Sequence, residues 1–403
     1  MPRKEKPTGF PRREFLGRTA KVRELMVQKG LAALIIFDND RMAGGGSVRY
    51  LSNFFSTDPF SPAAVVLLPG EEPTLCIAPG FQGCQFTWAR ERSFIRKVKG
   101  TSSGGWNVDW VKDITEALFE ANFSGGKVGI DGINLMPLRM LERLKGELSG
   151  SGVEDVTGLV ERVRLIKSPA ETGLLRRAAE LSRAGFAAFV RAAKPGVLQA
   201  RAIAEAELAV RRSGAEEAMM FMGTGLPWIW GSRRGDLTFE SGAMVAAEFN
   251  ARYQGYLGQI CRTFFLGKPT RKQRAVHDAV VTAYDRMTAS VRPGVTAAEL
   301  FEIGMAVLSR AGFEYSGVRF GHGLGLNLAE GFSIEPGDRT PIGAGTCLVV
   351  HPNVALPPSG LSAIHGDTLL VGEAGVEVLT WENRSRPSKR GAPRRTRNHT
   401  SGF

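Results

Sequence analysis

Two stretches of the chain carry the same start and stop signals at the same spacing. "KPGV" at 194–197 leads into a helical pattern ending at "RRSG", and "RPGV" at 292–295 leads into one ending at "SRAG". Gly196 to Gly214 spans 18 residues, and so does Gly294 to Gly312. A duplicated helix-plus-strands unit predicts a pseudo-two-fold core, whose site draws residues from both halves.

Upstream, the chain reads differently. At 403 residues it is too long for one ordinary core, so two domains are expected. "AKVRELMVQKG" is an amphipathic helix stopped by Gly30, "LAALIIFD" is an apolar strand, and "AAVVLLP", "PTLCIA" and "KVGID" are short strands. Together they predict an α/β domain over 16–160. The boundary lies in "IKSPAETGLLRRAAELSRAGFAAFVRAA", where Ser168 can cap a helix, Pro169 suits its first position and Glu171 completes a capping box. Leu174, Leu175, Ala178, Leu181 and Phe189 form its buried side. A second domain is expected over 161–381, with a basic tail at 1–15 and another at 382–403.

Charge sits mainly in the ends. Of the net +12, residues 381–403 carry +6 and residues 1–19 carry +4, so the folded body is near neutral and no nucleic-acid partner is expected. No run of eighteen apolar residues and no secretory segment is seen, so no membrane partner and a cytoplasmic location are expected. Cys76, Cys84, Cys261 and Cys347 lack metal or disulfide spacing; Cys261 reads as strand packing.

Polar residues then appear on apolar strands. In "GAMVAAEFNARYQGYLGQICRTFFLG", Glu248 and Gln259 are eleven apart on opposite arms of a hairpin around a polar "NARYQG" turn. His322 in "FGHGLGLNLAEG", His351 in "LVVHPNV" and His365 in "SAIHGDTLLVG" follow. Buried groups of this kind need partners, and a metal ion is one partner that serves several at once.

"RVRLIKSPAETGLLRRAAELS", the "KPGV" and "RPGV" helices, "ARYQGY…RTFFLGKPT", "GHGLGL" and "GDTLLVGEAGVEVLT" together resemble the creatinase/prolidase/aminopeptidase P family from about residue 15 to 381. The resemblance implies an α/β fold of two parts: a creatinase-like N-terminal domain and a pita-bread (α+β, pseudo-two-fold) C-terminal domain, as a homodimer. It also implies where the family's two metal ions would sit. The two Asp positions fall on Glu248 and Gln259, the His on His322, the first Glu on His351, and the second on His365, or on Gly366 without a one-residue shift. The peptidases' second histidine is Ala329 here. Their proton-handling histidine falls in "GTGLPWIWGSRRG", nearest to Ser232.

One carboxylate cannot neutralise two divalent ions, so a dinuclear peptidase site is not expected. The expectation is instead a non-peptidase enzyme holding one divalent ion, Fe, Mn, Zn or Cu with iron favoured, in a shell of Glu248, His322, His351 and His365. It would act on a small polar or aromatic molecule by oxygenase, lyase or C–N hydrolase chemistry. Gln259 and Ser232 would serve catalysis, and Trp228, Trp230 and Arg233 would bind substrate. A metal-free creatinase-like hydrolase and an inactive binding domain are the alternatives.

Overall fold

The structure, a computed structural model, describes residues 10–42, 45–56, 61–101, 108–224, 229–230 and 236–381. Its N-terminal part contains α1 (Arg12–Gln28), β1 (Ala33–Asp38), α2 (Ser47–Ser52), β2 (Ala63–Leu67), β3 (Thr74–Ile77), α3 (Cys84–Arg92), β4 (Lys97–Lys99), α4 (Trp110–Glu120), β5 (Val128–Asp131), α5 (Leu138–Glu147), β6 (Val153–Asp155) and α6 (Leu159–Arg164). The strands form one six-stranded sheet, ordered β4-β3-β2-β1-β5-β6. All six residues of β1 are buried, and β1 lies parallel to β5. A strand covered on both faces reads as an unbroken apolar run, which "ALIIFD" nearly is.

Helix α1 begins earlier than its apolar pattern suggests. Phe10 and Phe15 are buried, Phe15 stacks on Phe94 with ring centroids 4.0 Å apart, and the Arg18 guanidinium lies over the rings of Phe10 and Tyr50. Residues 10–15, expected as tail, therefore belong to the folded body: the aromatic rings draw this basic stretch inward.

The C-terminal part contains α7 (Pro169–Ala192), α8 (Gln199–Arg211), β7 (Glu217–Gly223), β8 (Ile229–Trp230), β9 (Met244–Tyr253), β10 (Tyr256–Phe265), α9 (Arg271–Ser290), α10 (Ala297–Arg310), β11 (Gly321–Gly323), β12 (Glu330–Ser333), β13 (Cys347–Val350), β14 (Asn353–Leu356), β15 (Leu361–Ile364), β16 (Gly366–Gly372) and β17 (Gly375–Val378). Nine strands make a curled sheet, in the order β12-β11-β13-β16-β10-β9-β7-β8 with β17 on β16; β14 and β15 pair separately. Ser168 and Glu171 form the expected capping box of α7. Leu175, Ala178, Leu181 and Phe189 are buried on it, and Leu174 is partly so.

The repeated "PGV" turns adopt equivalent conformations. Gly196 and Gly294 have φ of 83° and 90°. Their N–H groups donate to Phe239 O and Ile342 O, and the N–H groups of Phe239 and Ile342 donate back to Val197 O and Val295 O. The helices that follow end at Gly214 and Gly312, both left-handed. The sequence echo is a structural repeat.

The hairpin of β9 and β10 is tighter than its polar residues suggest. Tyr253 faces Tyr256, so the turn is Gln254-Gly255 alone, both at positive φ, and "NARY" is strand. One face of this hairpin lies on α7: a Cβ on Gly258 would fall 2.4 Å from Ala179 N and 2.5 Å from Ala178 C. Backbone cannot move aside as a side-chain tip can. Gly258→Ala is expected to cost about 3 kcal/mol, read from the denaturant midpoint; a loss under about 1 kcal/mol would mean that α7 can lift from the sheet.

Candidate functional site

Side chains alternate along a strand, so residues 249, 251, 258 and 260 face α7 while 248, 250, 259 and 261 face the opposite, inward side. Two rows cross that inward face. In the first, Glu248 stands opposite Cys261, Cys261 opposite Gly366, and a Cβ on Gly366 would lie 2.5 Å from His351 Cβ. In the second, Asn250 stands opposite Gln259, Thr368 opposite Val349, and Val349 opposite His322. The Thr368 hydroxyl ties these together, accepting from Gln259 N and donating to Gln259 O, each at 2.8 Å.

Within this face, Asn250 Nδ2 donates to Glu248 Oε1 at 2.9 Å, and Gln259 Nε2 lies 3.5 Å from Cys261 Sγ. The rings of His322 and His351 meet edge to face, centroids 5.1 Å apart. His322 Nδ1 pairs with Gly323 O at 3.0 Å, which leaves Nε2 as the acceptor nitrogen of the neutral ring. Three buried polar atoms here have no partner: Asn250 Oδ1, Gln259 Oε1 and His351 Nδ1.

Burial sets the protonation states. It raises the Glu248 acid above the usual carboxylate range, against the Asn250 hydrogen bond and the charge of Arg319. Burial and the same guanidinium push His351 down to about 4, and burial, His351 and Arg319 push His322 well down. Both imidazoles are neutral at pH 7. The Cys261 thiol is driven far up by burial and by Glu248, so it is a packing thiol and not a nucleophile.

The expected four-ligand shell is not assembled. His365 belongs to the corner between β15 and β16, with its ring 4.7 Å from that of Tyr284 on α9. Gly366, one residue on, holds the inward sheet position and supplies no donor. Among the described residues no group of three or more His, Cys, Asp and Glu side chains could hold a metal ion. Two divalent ions would set four positive charges against Glu248, the one carboxylate in the two rows, so these residues do not fit the family's ion pair. Trp228, Ser232 and Arg233 lie outside the described residues. Trp230 is described by its backbone, opposite Phe221 in β8.

Two members of the face escaped sequence reasoning. Asn250 is two residues from Glu248, and period-two alternation alone could have found it. Arg319, whose Nη1 lies 3.3 Å from Ser333 Oγ, precedes its strand and gave no such signal. A separate cavity of about 210 Å³ lies between the domains, lined by Asp38, Asp131, Glu161, Arg164 and Ala329 among others. Ala329, the position of the peptidases' second histidine, thus faces a domain junction.

Residues 18–166 match the creatinase/prolidase N-terminal domain, and residues 173–373 match metallopeptidase family M24. The chain belongs to the creatinase/prolidase/aminopeptidase P family, with the creatinase N-terminal domain followed by the pita-bread domain. The Xaa-Pro dipeptidase of Pyrococcus horikoshii is 26% identical over 373 residues, covering 90% of this chain and 97% of that protein. The Xaa-Pro dipeptidase of Pyrococcus furiosus is 26% identical over 338 residues, covering 82% and 90%. In fold, the chain is similar to the Pyrococcus horikoshii prolidase (TM-score 0.77, 24% identity, 91% and 99% covered) and to a Bacillus anthracis Xaa-Pro dipeptidase (TM-score 0.77, 22%, 92% and 99%).

These relatives overturn the expectation of a non-peptidase enzyme with a mononuclear oxidative or lyase site. The proteins it resembles along both domains are peptidases, and the shell on which that expectation rested is not gathered in space. No helix among the described residues is long and apolar enough to cross a membrane.

His365, pushed down to about 3 by burial and Arg262, and His351 give the fold an acid limb. The unfolded chain binds these protons below about pH 6.5, whereas the folded chain does so only near 4 and 3. Acidification through that window therefore favours unfolding. His365→Leu is expected to flatten the fall in melting temperature between pH 6.5 and 4 measured for the wild type; an unchanged slope would locate the acid sensitivity elsewhere.

Proposed function

We propose that the chain is a hydrolase of short peptides, with Xaa-Pro dipeptides as the first substrate class to try. The observation that carries this reading is the end-to-end match of both domains to Xaa-Pro dipeptidases, 90% of this chain against 97% of one relative. The inward face supports it. Hydrolysis of an amide needs a group that can hand a proton to the leaving nitrogen, and Glu248, its acid raised by burial, is placed on the inward face to do so. His351, with Nδ1 unpartnered, is a weak base and a good hydrogen-bonding group, so its part is to orient a water or the substrate carbonyl. His322 backs it edge-on.

The test is release of proline from a panel of Xaa-Pro dipeptides by the purified chain, with and without added Mn, Co or Zn. Turnover is expected in the wild type and a loss of about a hundredfold in kcat in Glu248→Gln and in His351→Ala. No proline from any dipeptide under any metal condition would overturn the reading. Elemental analysis of the same samples fixes the metal and its count.

A further inference from the structure

Strands β1 and β5 lie side by side and parallel, yet the chain leaves β1 for β2 on one flank and returns through β5 on the other. A change of flank of this kind leaves room for a ligand outside the carboxyl ends of the two strands. Asp38 is the last residue of β1 and Asp131 the last of β5. Asp131 pairs with Ile36, two residues before Asp38, so both carboxylates stand on the same face. Gly132 lets the strand ends close up: its φ is 93°, and a Cβ there would fall 2.1 Å from Phe37 O. The cavity of about 210 Å³ between the domains lies at this point, and Glu161 of α6 adds a third carboxylate to its wall.

Each acid is hydrogen-bonded but not neutralised. Asp38 accepts from Asp40 N at 2.6 Å and Val48 N at 2.9 Å, Asp131 accepts from Gly158 N at 2.9 Å and Val160 N at 2.8 Å, and Glu161 accepts from Gly331 N. The starts of α2 and α6 that supply most of these donors carry only a fraction of a charge each. Among the described residues none of the three acids forms an ion pair, for Arg164, the cation on the same wall, is engaged elsewhere. Its Nη2 donates to Glu330, which Lys167 also holds, and its Nη1 donates to Ser47 Oγ at 3.1 Å and Gly45 O at 3.3 Å. Burial raises all three acids above the usual carboxylate range, against the pull of Arg164.

A buried carboxylate without a counter-charge is costly, and Asp38 and Asp131 are 3% and 4% exposed. Asn or Ser would accept the same N–H groups at a helix start without that charge. The excess charge calls for a cation in the cavity. A single metal ion does not answer it, because among the described residues no three ligating side chains converge closely enough to hold one. Two separated ammonium groups match carboxylates spread along a wall, each bringing three N–H donors and one charge. At about 30 Å³ per water the cavity has room for about seven groups of that size, enough for a butane chain with an amine at each end. Phe37, Leu135 and Ala329 give its methylenes an apolar lining.

We infer that this cavity is a binding site for a short aliphatic diamine, whose two ammonium groups pair with the carboxylates of Asp38, Asp131 and Glu161 at the junction of the domains. Nothing in this site depends on cleavage of peptides by the chain. The bound diamine braces the junction, because Glu161 and Arg164 reach Gly331 and Glu330 at the start of β12.

The experiment measures binding of diaminobutane to the full chain by calorimetry and by melting temperature, beside butylamine, butanediol, magnesium chloride and sodium chloride at matched ionic strength. Wild type, Glu161→Gln and Ala329→Leu are compared. The first variant removes one charge and keeps an acceptor for Gly331 N; the second fills the cavity without changing its charge. Diaminobutane is expected to bind the wild type at least about tenfold more tightly than butylamine and to raise the melting temperature as its concentration increases, whereas butanediol does not bind. Affinity is expected to fall about tenfold in Glu161→Gln and to be lost in Ala329→Leu. Ligand-free Glu161→Gln is expected to melt at or above the wild-type temperature, because an uncompensated charge has been removed; a glutamate kept for structure alone would lower it. Should Ala329→Leu fail to fold, Glu161→Gln decides alone.

Equal binding of diamine and monoamine, no binding of either, or unchanged affinity in Glu161→Gln would each overturn the inference. An equal rise in melting temperature from magnesium chloride or sodium chloride would do the same, since it would reduce the effect to a bound ion or to screening.

Discussion

Everything on the inward face depends on how the hairpin of β9 and β10 is seated on α7. Gly258 lies against the backbone of Ala178 and Ala179, and Phe249 occupies the space beside Gly185 that a Cβ would fill. Between them Ser182 binds the hairpin directly, donating to Gly258 O at 2.8 Å and accepting from Ala251 N at 2.9 Å. A helix held this close leaves the strand pair no freedom to slip, since a shift of one residue would turn Glu248, Asn250, Gln259 and Cys261 toward the helix and Phe249 and Ile260 onto the inward face.

The second constraint is the buried ionic seam between the domains. Arg252 of β9 reaches Asp40 at 2.6 Å, and Arg49 of α2 reaches Glu216 at 2.7 Å and Asp40 at 3.4 Å. Farther along, Glu330 takes both Arg164 and Lys167. Such groups repay their desolvation only when every partner is in place, so they contribute more to a single docking geometry than to net stability. Glu330 immediately follows Ala329 and opens β12, which pairs with the strand carrying His322. The seam thus ends beside the site.

The legible part of the fold was the part written as local signals. The "PGV" turns, the Ser168–Glu171 cap and the apolar run of β1 each state their conformation in a few residues. The site was less legible, because its composition depends on pairing. Counting eleven residues from Glu248 to Gln259 located the hairpin, yet the register pairs Glu248 with Cys261 and Gln259 with Asn250. For the choice between His365 and Gly366 a single residue decides which side of the sheet is faced, and only the pairing of Gly366 with Cys261 resolves it. A histidine has no strand signature of its own, so the three in this region looked alike until His365 was found against Tyr284.

The same register explains how one scaffold can present a different ligand surface without altering its backbone. An amide at 250 or 259 offers a carbonyl oxygen in much the place a carboxylate oxygen would occupy, but without the charge. Acceptor geometry survives while the field that holds multivalent ions weakens. Gly366 carries the change across the next strand: with no side chain there, His351 occupies the space, and its neutral imidazole adds hydrogen-bonding capacity and no charge. Glu248 is then the one carboxylate in these rows of β9, β10, β16 and β13, so the face offers hydrogen-bonding groups where two divalent ions would require charge.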